Sequence, residues 1–213
     1  MHTNVIAEDV KKKAMAGTLL VMAGLLIVSV AGLLLPDTIY PTEKLKFSFL
    51  TNDVIDLVIG LPALALALWL VRKEHILGYL FWPGGLLFVF YNFVVYSASM
   101  PFNLWYLLYP ALALGSLAMA VWIVLKMDGG VLKAVVEGSV FERWNGGVLV
   151  VLGALYFLMA AMNLIVGLQE GALGGPEIGL NIADIAISIP WVLSGVSLWR
   201  HGVFGYKIGV SWL

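Results

Sequence analysis

The chain of 213 residues has no cysteine. That removes disulfide frameworks, thiolate metal sites and thiol redox chemistry. Charge is scarce too: Asp, Glu, Lys and Arg make up 12% of the residues against 62% hydrophobic ones, and mean hydropathy is +0.98. Soluble domains carry nearer about a quarter charged residues, so this composition cannot build a water-facing exterior. With a formal net charge of −1 and no basic stripe to neutralise phosphates, a nucleic-acid partner is excluded. Histidine occurs three times, as His2, His75 and His201, never within a long apolar run, so no intramembrane imidazole exists to ligate haem. No lysine sits within a full apolar run to hold a Schiff base; Lys207, in the last segment, comes nearest. An HExxH helix, a Gly-x-Ser-x-Gly elbow and a phosphate-cradling glycine loop are all missing. The sequence thus calls for no cofactor, designates no catalytic residue, leaves a metal site undefined and gives enzymology little support.

What the chain does have is long apolar runs. A hydrocarbon core of about 30 Å needs about 20 apolar residues per helix, and six runs qualify, near 14–35, 53–71, 78–99, 103–125, 146–168 and 181–199. Their continuity reads as helix, not as the short alternation of an outer-membrane barrel. The first run follows Lys11-Lys12-Lys13, as a secretory signal would. Its length favours a retained span, as does its likeness to a later run: Gly17–Gly24 (GTLLVMAG) matches Gly146–Gly153 (GGVLVVLG). A seventh run begins at Val203 and reaches Leu213, which at about 1.5 Å per residue crosses only half a bilayer. It reads as a partial C-terminal span, or as the start of a segment continuing in a longer parent protein. With the N-terminus inside, Lys11, Lys12, Lys13, Arg72, Lys73, Lys126, Lys133, Arg143, Arg200 and Lys207 all fall on the cytoplasmic side, and only Lys44 and Lys46 fall outside. That bias obeys the positive-inside rule. The expectation is an all-α, multi-pass integral membrane protein of a prokaryotic plasma membrane, with a cytoplasmic N-terminus and the lipid bilayer as its first partner.

The spans carry a repeated pattern. Asp53, Asp56, Pro62 and Arg72 recur 128 positions on as Asn181, Asp184, Pro190 and Arg200, and Gly78-Tyr79 recurs as Gly205-Tyr206 with a one-residue slip. Four spans separate the copies, so they run in the same direction, as in a tandem parallel repeat. The expected organisation is a first unit of four spans over 1–127, a cytoplasmic linker over 128–144, and a second unit of two spans plus the partial third over 145–213. In the linker, Val131, Leu132, Val135 and Val136 share a helical face against Lys133 and Glu137, the pattern of an interfacial helix anchored by Trp144. A flexible link around Gly129-Gly130 is the alternative. The outer loop Pro36–Asn52 contains Lys44-Leu-Lys-Phe-Ser-Phe, apolar on alternate residues, and reads either as a short extended segment or as one lying on the membrane surface.

An intramembrane carboxylate is costly and usually functional. Asp53 and Asp56, three apart, share one helix face, and Asp184 repeats the position. Helix capping by Asn52, Asp53 and Asn181 is the competing explanation. Against it stand polar side chains at the same expected depth: Asn92, Asn163, Tyr106 and Tyr109. Together with Asp56 and Asp184 they would line an outward-facing ligand-binding pocket. Singly, the tyrosines fit an aromatic belt and the asparagines fit packing contacts between helices. Pro62 and Pro190 are expected to kink their helices, with Pro83-Gly84-Gly85 a further break, and Arg72 and Arg200 read as interface anchors.

The stretch Asn52–Tyr109, with Asp56, Pro62, Arg72, Gly78-Tyr79, Tyr91-Asn92 and Asn103, resembles a group of small polytopic prokaryotic membrane proteins that brings no activity with it. The leading reading is a solute or ion permease, or its binding unit, in which paired acidic residues bind a small solute or cation. One alternative is a non-transporting sensor, scaffold or partner subunit that binds a lipid or small ligand. It would form a homo-oligomer or engage a partner chain through the incomplete last span. A second alternative is a membrane-embedded enzyme acting on a lipid-like substrate.

Overall fold

The structure, a computed structural model, describes residues 5–171 and 173–212; His2 and Leu213 lie outside them. Among the described residues all regular structure is helical. In chain order the helices are α1 (Glu8–Leu34), α2 (Pro36–Ile39), α3 (Glu43–Ile55), α4 (Leu61–Arg72), α5 (Ile76–Ser99), α6 (Leu108–Lys126), α7 (Gly129–Val136), α8 (Glu142–Glu170), α9 (Gly175–Trp199) and α10 (Val203–Ile208). A π-helical turn, Asp56–Gly60, fuses α3 to α4. Turns of 3-10 helix lead into α6 (Leu104–Leu107) and follow α10 (Gly209–Trp212). Six helical segments are long and apolar enough to cross a membrane: α1, the fused α3–α4, α5, α6 with its leading turn, α8 and α9. This is a multi-pass helical protein.

The helices extend beyond the apolar runs because local capping sets their ends. Thr42 starts α3 by accepting the N–H of Leu45 at 3.3 Å. Asn103 holds the turn before α6 by accepting from Trp105 and Tyr106 at 3.0 and 3.1 Å. Asp128 caps α7 through the N–H groups of Gly130 and Val131. Gly171, at φ 62°, ends α8 in the left-handed conformation that favours glycine. The segment 36–52 is therefore helical over most of its length, not extended: α2 and the start of α3 fill it, with Phe49 buried and Phe47 exposed. The linker is helical over Gly129–Val136, with Leu132 and Val136 buried, and Trp144 stands exposed at the start of α8.

Central in the bundle is α5. Two-thirds of its apolar window (67%) is buried, against 17% for α8. It packs against α4, α6 and α9, whereas α8 packs chiefly on α9. The α8–α9 seam is made by small residues. Gly146 and Gly195 each lie so near the other helix that a Cβ would fall within 2.8 Å of a backbone carbonyl, the close approach that van der Waals packing within a membrane requires.

Two hairpins share a detailed geometry. Among the described residues, Glu74 and His201 are the non-glycine residues with positive φ, 53° and 55°. Each follows a helix end, and each is followed by an amide that reaches back five residues: His75 N–H to Leu70 C=O, and Gly202 N–H to Ser197 C=O. Gly78 and Gly205 then press onto the backbone N of Val71 and Leu198, and Tyr79 and Tyr206 are fully buried. Here the offset is 127, one less than at the aspartates. Pro62 and Pro190 still match at 128, beyond the π-turn at Asp56–Gly60, so the slip falls between Pro62 and the turn that begins at Leu70.

Candidate functional site

Pro62 has no N–H to give to the preceding turn. Just before it the helical ladder lengthens, and Leu61 N–H donates to Asp56 C=O, five residues back. Such π-turns recur at functional sites. Asp53 and Asp56 lie in the interior of the fused α3–α4 helix, more than two turns past its cap at Thr42, so neither is an N-cap. Asn181 and Asp184 are likewise interior, since α9 begins at Gly175.

Asp53 is completely buried and well satisfied. Its Oδ2 accepts the Tyr40 hydroxyl at 2.6 Å and its Oδ1 the Tyr96 hydroxyl at 2.9 Å. Room for this pair comes from α1: an added Cβ at Gly32 would fall 2.1 Å from Asp53 Oδ2 and 2.5 Å from the Tyr40 hydroxyl. Phe93 stacks on Tyr96, Phe49 meets it edge-on and Tyr109 packs against it at a tilt. Burial, and then the adjacent Asp53 carboxylate, push the Tyr40 phenol above its ordinary range, so it remains a protonated donor. This cluster locks the α2–α3 segment onto α5.

Asp56 is equally buried but only half satisfied. Its Oδ1 accepts from Asn92 Nδ2 at 2.9 Å, while Oδ2 has no hydrogen-bond partner among the described residues. Ser29 Oγ, buried on α1, also lacks one, and α1 packs against the π-turn. A buried carboxylate costs several kcal/mol unless paired and hydrogen-bonded, so this arrangement is expensive. Chemically it offers a carboxylate oxygen able to take a proton or coordinate a cation. No group of three or more His, Cys, Asp or Glu converges among the described residues.

The remaining expected site residues lie elsewhere, and the six do not line a single pocket. Asp184, half-buried, accepts the Tyr91 hydroxyl at 2.8 Å beside a cleft of about 250 Å³. Because Tyr91 and Asn92 are neighbours on α5, Asp184 and Asp56 approach that helix from different sides. Asn163 reaches Asn181 at only 3.5 Å, and Asn181 also donates to Glu177 C=O. Tyr109 belongs to the aromatic wall around Tyr96, and Tyr106 meets it edge-on. Asp53 and Asp56 are sealed from solvent, so no outward opening reaches them. A cleft of about 440 Å³ is lined by apolar side chains of α5, α6, α9 and α10. Pro190 lines it, and α9 stays continuous through this proline without a π-turn. Pro83 lies within an unbroken α5. Arg72 and Arg200 stand exposed at the ends of α4 and α9. His75 caps α5, its Nδ1 accepting from Leu77 N–H.

The partners that sequence reasoning missed are Tyr40 and Gly32. Their polar or small side chains carry no signal until the rotation of α1 and the fold of α2 are known. No family model, curated protein or solved structure matches this chain.

Proposed function

We propose that this protein is a small permease, or the binding unit of one, in which Asp56 takes up and releases a proton or monovalent cation. The observation that carries this reading is the unpartnered Oδ2 of a fully buried carboxylate on a π-turn. A structural carboxylate in lipid would be satisfied, as Asp53 is; one left partly open fits a group that must change its occupancy. On this reading the described conformation is an occluded one. Asn92 holds one carboxylate oxygen in place. Asp53, with Tyr40 and Tyr96, closes the site on the outer side.

The same proposal places the N-terminus in the cytoplasm of a prokaryotic cell, following the lysine and arginine distribution. It also takes the α4–α5 and α9–α10 hairpins as copies from a tandem duplication, supported by their matched turn geometry. The first copy would have acquired the π-turn and the ion site. The second, with Asp184 hydrogen-bonded to Tyr91 in a more open setting, would have diverged.

The test is thermal stability of the purified protein against a panel of monovalent cations, pH values and small solutes, in parallel with Asp56→Asn and Asp184→Asn. A cation or pH response present in the parent and lost in Asp56→Asn is the expected result. The same response surviving intact in Asp56→Asn would refute the assignment.

A further inference from the structure

The cleft beside Asp184 differs in chemistry from the sealed Asp56 site. Among its walls are Phe88 and Tyr91 from α5, Tyr156 from α8, and Trp191 from α9, two turns on from Asp184 on the same helix face. Tyr156 and Trp191 meet edge to face, with ring centroids 5.7 Å apart. The carboxylate keeps Tyr91 as its hydrogen-bond donor and forms no ion pair among the described residues. No basic side chain lines the cleft.

A negative charge bordered by four aromatic rings sets the class of ligand. A metal ion would need several oxygen donors, and here the walls offer only the Asp184 carboxylate and the Tyr91 hydroxyl. An anion would meet an uncompensated carboxylate. A neutral apolar molecule would fill the space but leave that charge without a counter-ion in a low-dielectric setting. An organic ammonium brings both the positive charge for Asp184 and the apolar surface for the rings, which attract cations over their faces. The volume, about 250 Å³, is suited to an alkylammonium head with one small substituent.

From this we infer that the α5–α8–α9 cleft is a binding site for a lipophilic organic ammonium, with Asp184 as counter-ion and Tyr91, Tyr156 and Trp191 as its aromatic cage. The inference does not rest on the role given to Asp56. Tyr91 positions the carboxylate by donating to Oδ1.

The experiment is equilibrium binding of benzyltrimethylammonium to the full chain in detergent, compared with neopentylbenzene, its uncharged carbon isostere. Saturable binding of the ammonium is expected, with the isostere at least about tenfold weaker. Asp184→Asn, which keeps a hydrogen-bonding group beside Tyr91, should weaken the ammonium at least about tenfold and leave the isostere unchanged. Tyr156→Leu, at the exposed rim, should weaken it several-fold and serves if Asp184→Asn fails to fold. Asp56→Asn should bind as the parent does, which separates this site from the proposed ion site. Equal binding of the two probes, no saturable ammonium binding, or full affinity in whichever of the Asp184 and Tyr156 variants folds would overturn the inference.

Discussion

Gly32→Ala sets two physical effects against each other with opposite signs. Alanine is the better helix former by about 1 kcal/mol, so on propensity alone the substitution in α1 should stabilise the protein. The Asp53 cluster dictates otherwise. The new Cβ would lie 2.1 Å from Asp53 Oδ2 and 2.8 Å from its Cγ, and that carboxylate is fixed between two tyrosine hydroxyls. Either α1 moves outward, at an overpacking cost of roughly 1–3 kcal/mol, or the carboxylate swings away and loses a charge-assisted bond of about 1.5–3 kcal/mol. Less the helix gain, either route leaves Gly32→Ala destabilised by up to roughly 2 kcal/mol. Reversible unfolding in mixed micelles reads this directly. Gly115→Ala is the internal control, because nothing lies within 4 Å of its Cβ; it should be neutral or slightly stabilising. A double-mutant cycle with Asp53→Ala should recover most of the loss, since the two positions are in contact. If Gly32→Ala matches or exceeds the parent in stability, the packing of α1 against Asp53 is wrong.

Two further predictions concern the paired hairpins. Gly78→Ala and Gly205→Ala would put a Cβ 2.5 Å from Val71 N and 2.3 Å from Leu198 N. Backbone atoms cannot yield as a side chain can, so each should cost roughly 3 kcal/mol or more; unfolding midpoints close to the parent's would contradict the turn geometry. Tyr79 donates to Glu74 at 2.6 Å, whereas Tyr206 reaches Glu142 only at 3.3 Å. Removal of the hydroxyl should therefore cost about 1.5–3 kcal/mol in Tyr79→Phe and under about 1 kcal/mol in Tyr206→Phe, and the reverse order in denaturant titrations would argue against these pairings.

Much of the architecture is legible in the residues. Six spans follow from six apolar runs, because crossing lipid demands a length that hydropathy reports. The helix starts at Glu8, Glu43 and Gly175 are not legible that way, since polar end turns look like loops until a cap such as Thr42 is seen in place. The period-two pattern around Phe47 and Phe49 points towards strand, yet it sits in α3, where burial of Phe49 against Tyr40 and Tyr96 decides the conformation. Spacing also identified the acidic face of the second span, with Asp53 and Asp56 three apart and Pro62 one turn beyond Val58. It could not say that Asp53 would be satisfied and Asp56 left open, which depends on where Tyr40 and Asn92 arrive from other elements. One clue was nevertheless readable: Tyr91 and Asn92 are adjacent, and adjacent helical residues project about 100° apart. Their two carboxylate partners therefore could not share one pocket.

Infrared difference spectroscopy of the purified protein across a pH or cation exchange, in parent, Asp56→Asn and Asp53→Asn, tests the central claim most directly. Exchange at Asp56 predicts a carboxyl band that changes on exchange in the parent, persists in Asp53→Asn and disappears in Asp56→Asn. A carboxyl signal unchanged in Asp56→Asn, or no carboxyl change in the parent, would contradict it.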